Sequence, residues 1–112
     1  MPNRLVDLES LKSKLRTFKK EDIILTDHAL ARAKFRRIDI EEVKSNIVNP
    51  VRLIHSEQQK AENKDEEKYN CYFAYSKNFA HRYIIVLDGK VIIVTIIVID
   101  KSLQKIIERK TK

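Results

Sequence analysis

A chain of 112 residues, 43% hydrophobic and 35% charged, has one domain's worth of core and too much apolar content to stay disordered. Lysine and arginine number 23 against 16 acidic residues, and the resulting net charge of +7 attracts phosphate polymers and acidic proteins alike. Cys71 is the only cysteine, which excludes an intrachain disulfide, and three scattered histidines form no zinc-type spacing, so neither metal nor cofactor is expected.

Leu8, Leu11, Leu15 and Phe18 fall at helical spacing with charged residues between, which predicts an amphipathic first helix over residues 5–19. Its apolar stripe must dock on this domain's own sheet or on a partner chain. Ile23, Ile24 and Leu25 form a short apolar segment, after which Thr26 or Asp27 can cap a second helix. On that helix Ala29, Leu30 and Ala33 occupy one arc and His28, Ala31, Arg32 and Phe35 another, so neither side is purely polar. Asp39 and Glu42 have capping-box spacing, and Ile40, Val43 and Ile47 carry a third helix to Asn49-Pro50, where proline stops it.

From Val51 onward the period changes to two. Residues 51–56, 69–76, 81–87 and 91–99 read as strands, the last two forming a hairpin across Asp88-Gly89 in a type I′ turn. The run at 91–99 is apolar on both faces, which predicts a central strand covered by helices on one side. A partner, the terminal helix or a dimer mate covers the other. It is too short to span a bilayer, and the N-terminus lacks a signal-peptide core, so a soluble, cytoplasmic protein is expected. Residues 56–68 are polar and aperiodic and read as a long mobile loop, while 101–112 suggest a short basic helix around Leu103, Ile106 and Ile107. The fold class is α+β, with N-terminal helices packed on an antiparallel sheet of about four strands.

His28, Arg32 and Arg36 recur at four-residue steps, so on a helix each advances by roughly 40° and the three line one edge. An imidazole titrating near ~6.5 beside fixed guanidiniums suits the handling of phosphate, although a solvated helix face has the same pattern. Metal-free cleavage of RNA requires a base for the 2′-hydroxyl proton, cations for the pentavalent phosphorus and an acid for the leaving oxygen. His28 or His81 can serve as base or acid, and Arg32 and Arg36, assisted by Lys34 or Arg82, can clamp the phosphate. Strand alternation puts His81 and Arg82 on opposite faces and places His55 with Val51 and Leu53 on an apolar face. Tyr69, Tyr72, Tyr75 and Tyr83 read as core and rim side chains, and Cys71, sharing a face with Tyr69 and Phe73, as buried and inert.

The run HALARAKFRRI from His28 to Ile38, followed by DIEEV and by Asn49-Pro50, resembles the opening of a domain-of-unknown-function family grouped with the RelE/ParE and BrnT toxins. The run VIIVTII at 91–97 is similar to that family's final strand. The resemblance covers residues 26–99, and its specific part is the first third. It implies a RelE-like α+β domain whose better-studied relatives are metal-independent endoribonucleases acting on RNA, often ribosome-bound messenger RNA, and held in check by an antitoxin protein. Catalytic roles are expected for His28, Arg32 and Arg36 and nucleic-acid contacts for Lys34, Arg37 and Arg82. Two departures are visible. Arg37 stands where the family favours a glycine after the second arginine, and the 56–68 loop is longer than the usual link. The alternative is a non-catalytic adaptor that binds an acidic partner through its apolar first helix and basic ends.

Overall fold

The computed structural model describes residues 4–100. They form an α+β domain with the elements β1 (Arg4–Leu5), α1 (Leu8–Leu15), β2 (Ile23–Leu25), α2 (Asp27–Phe35), α3 (Ile40–Val48), β3 (Leu53–Gln59), β4 (Glu67–Ser76), β5 (Phe79–Leu87) and β6 (Val91–Ile99). A 3₁₀ turn over Lys20–Asp22 leads into β2. The sheet has six strands in the order β1-β3-β4-β5-β6-β2 rather than four, and it is mixed. Its β3-β4-β5-β6 core is antiparallel, while β2 lies parallel to β6 with Ile23 opposite Val91 and Leu25 opposite Ile93.

The first helix is shorter than its leucine spacing suggests. Asp7 accepts from the amides of Glu9 and Ser10 and sets the start at Leu8, leaving Leu5 to pair with Glu57 at the sheet edge. Leu11 and Leu15 are buried in the chain's own core, with Leu8 and Phe18 packed against it. Ala29 and Ala33 of α2 and Val43 and Ile47 of α3 bury against the same sheet face, opposite Phe73, Ile85, Ile93 and Ile96. Small side chains at both contact turns of α2 let that helix lie close to the sheet.

Three expectations from the sequence change on the coordinates. Residues 56–59 are strand, because Ser56 to Gln59 pair with Cys71 to Lys68, and the connecting loop shrinks to 60–66. The β5–β6 loop is not a type I′ turn. Gly89 alone takes positive φ (67°), and Asp88, Gly89 and Lys90 together close it, with the Asp88 N–H donating to the Lys90 carbonyl at 3.0 Å. The Asp39/Glu42 capping box does not form, for Asp39 accepts from the Glu41 amide at 2.9 Å and Glu42 is engaged elsewhere.

On the far face of the sheet Tyr72, Ala80 and Ile99 make a second, smaller cluster with Ala74 and Ile97. The central placement of β6 between β5 and β2 agrees with its two apolar faces. The expected terminal helix at 101–112 lies outside the described residues. No described helix is long and apolar enough to cross a membrane.

Candidate functional site: the rim of helix α2

Thr26 positions α2. Its backbone N–H donates to the Ile93 carbonyl at 3.1 Å, its hydroxyl donates to the Val94 carbonyl at 2.9 Å, and its Oγ1 accepts from the Ala29 amide at 3.1 Å. The helix start is thereby pinned to β6 where β5 and β6 slip register. One residue into the helix, exposed His28 places Nε2 3.0 Å from Thr95 Oγ1. Thr95 pairs with Ile84, and Ile97 with Arg82, so this contact draws the imidazole toward the sheet face that carries Arg82.

Arg32 is half-buried one turn on, and Arg36 is exposed one turn further. Neither guanidinium forms a hydrogen bond or ion pair among the described residues, and the same holds for exposed Lys34 and Arg37. Asp27, the nearest carboxylate in sequence, pairs with none of them. His28, Arg32 and Arg36 thus follow one another at one-turn intervals along α2 and its C-cap, with the imidazole 3.0 Å from a hydroxyl and the guanidiniums without an ion-pair partner among the described residues. In the tautomer whose Nε2–H donates to Thr95, Nδ1 keeps its lone pair.

The helix ends in a Schellman motif: the Ile38 N–H donates to the Ala33 carbonyl at 2.8 Å and the Arg37 N–H to the Lys34 carbonyl at 3.2 Å. That motif needs a left-handed residue, and Arg37 occupies it with φ of 56°. A side chain with a Cβ costs about 1 kcal/mol there relative to glycine.

Arg82 is already engaged. Its Nε donates to Asn70 Oδ1 at 2.6 Å, and its guanidinium lies 5.7 Å from the centre of the Tyr72 ring. His55 lies on this face too, correcting the expectation that it shares the face of Leu53. A register shift between Leu53 and His55 turns it toward Tyr72, and it pairs with buried Glu57 at 3.1 Å. Cys71 is fully buried, and burial pushes its thiol up to about 12, so it is inert.

His81, the other histidine considered for acid–base work, lies on the helix-covered face and is 3% exposed. A second constellation surrounds it that strand and helix periodicity did not reveal. Asn46 of α3 donates through Nδ2 to Tyr75 Oη at 2.8 Å and to Tyr83 Oη at 3.0 Å. Tyr75 donates in turn to Glu42, and Tyr83 Oη lies 2.8 Å from His81 Nδ1. In the tautomer where Tyr83 donates to His81 Nδ1, the imidazole is neutral with hydrogen on Nε2. Burial also holds the His81 pKa below its ordinary value, against an opposing pull from Glu42. Arg52 covers the Tyr75 ring at 4.3 Å. This chain of hydrogen bonds runs from α3 to β4 and β5, which suits holding α3 to the sheet. The one sequence signal was Asn46 itself, a polar side chain on the arc of Val43 and Ile47.

Comparison with known proteins adds no relative: no family model, no curated protein and no solved structure matches the chain.

Proposed function

We propose that the chain is a RelE/BrnT-like toxin-type domain that binds RNA and cleaves it without metal through the His28–Arg32–Arg36 edge. The observation that carries this reading is the rim of α2, where an imidazole oriented by Thr95 stands in line with two guanidiniums that no carboxylate neutralises among the described residues. His28 Nδ1 takes the 2′-hydroxyl proton, and the 2′-oxygen attacks phosphorus. Arg32 and Arg36 hold the pentavalent phosphorane, and the departing 5′-oxygen takes a proton from water. The products are a 2′,3′-cyclic phosphate and a 5′-hydroxyl. An antitoxin that masks the rim is the partner this reading implies.

A non-catalytic adaptor draws less support, since the apolar stripe of α1 that it would offer to a partner is buried in the domain's own core. The test is cleavage of a labelled RNA by the full chain with chelator present. His28→Ala is expected to lower the rate by roughly 10²–10⁴ while the fold is retained. Cleavage that stops with chelator and returns with magnesium rules the mechanism out, and a rate indifferent to both His28→Ala and Arg32→Ala favours the adaptor.

A further inference from the structure

Phe35 closes α2 with 76% of its surface in water, the most exposed large hydrophobic side chain among the described residues. It sits three residues after Arg32, hence on the same helix edge, and is followed directly by Arg36 and left-handed Arg37. Elsewhere in the molecule arginine caps aromatic rings, as Arg52 does Tyr75 and Arg82 does Tyr72, but among the described residues no ring or guanidinium lies against Phe35. An apolar ring left in water costs free energy without contributing to the core. Arg37 likewise holds a conformation that glycine would adopt without strain. Two locally unfavourable choices thus stand two residues apart at the end of the cationic rim.

From this the geometry points to a base-stacking step: Phe35 receives one unpaired nucleobase of a single-stranded RNA, while Arg36 and Arg37 contact the phosphates on either side of it. The inference rests on the RNA-binding reading above and narrows its substrate class, because a duplex keeps its bases stacked and offers no free π-face to the ring. Positive charge around an uncovered ring matches a ligand that alternates anionic phosphates with flat apolar bases. A stacking contact is sequence-tolerant, so the step would set strand form and register along the rim, not sequence.

Binding of a fluorescein-labelled single-stranded 12-mer RNA and of the same sequence as a duplex, measured by anisotropy at two salt concentrations, decides the matter. Phe35→Ala should weaken single-strand binding about tenfold, leave the salt slope unchanged and leave the duplex signal unaffected, whereas Phe35→Trp should restore single-strand affinity. Arg37→Gly should lower the magnitude of the single-strand salt slope by about 0.7, one phosphate's share. Equal single-strand affinity for the wild type and Phe35→Ala overturns the stacking step and leaves RNA binding standing. A wild type that binds neither RNA overturns both. Loss of single-strand and duplex binding together in Phe35→Ala overturns the stacking role in favour of a general one.

Discussion

Two polar regions flank the same core and are built on opposite terms. Around Asn46 the polar groups are joined to one another: the amide serves two tyrosines, one tyrosine serves Glu42, the other lies 2.8 Å from His81 Nδ1, and Arg52 lies over a ring. Along α2 the charges are left over, with Arg32, Lys34, Arg36 and Arg37 lacking any partner among the described residues and Phe35 uncovered. The richer collection of catalytic residue types is in the first region, yet it has least to offer a ligand. A buried network that is satisfied internally gives rigidity, and residue type alone does not mark a site.

The sharpest way to break this comparison is Asn46→Ala. The buried Tyr83 hydroxyl and the half-buried Tyr75 hydroxyl then lose their donor, and unfolding in urea should show a destabilisation of about 2–3 kcal/mol. RNA affinity of the folded fraction should stay at the wild-type value, and a large affinity loss would show that the two regions act as one. The next effect has the opposite sign. Arg37→Gly relieves the left-handed residue that closes α2 and should raise stability by about 1 kcal/mol in the same measurement. An unchanged or lowered stability would show that the Arg37 side chain supports the fold.

The smallest effect is a pH dependence. Burial holds His81 below its ordinary value of 6.5, so the folded chain keeps it neutral at a pH where the unfolded chain would protonate it. Its stabilising contribution is complete above that ordinary value and is lost as pH falls through the lower, folded one. Stability should therefore rise with pH just under 6.5 in the wild type. That segment of the profile should flatten in His81→Gln. A profile that His81→Gln leaves unaltered would remove the buried imidazole from the account.

Much of this architecture can be read from residue pattern. The leucine spacing of α1, the Thr26 cap, the Asn49-Pro50 stop and the period-two strands all correspond to described elements. Position 37, where the resembling family favours glycine, takes positive φ in this chain. What pattern missed has specific causes. Residues 56–59 looked like loop because a strand with one polar face has no apolar alternation, and buried Glu57 pairs with His55 two residues earlier on the same strand. The slip between Leu53 and His55 inverts every later side chain of β3, which no period can signal. Three residues are too few for Ile23–Leu25 to declare a parallel pairing. At the site itself, the four-residue spacing placed His28, Arg32 and Arg36 on one edge, but Thr95, 67 positions away from His28, was beyond the reach of local pattern.

The parallel seam between β2 and β6 has a consequence for synthesis. The segment that launches α2 leaves the ribosome long before the strand it must lie beside, so an emerging chain displays its cluster of cations without the hydroxyl that aims the imidazole. Assembly of the rim waits for nearly the whole polypeptide. Fragments from interrupted translation that stop short of Val91 would carry the charge of this protein but not its geometry.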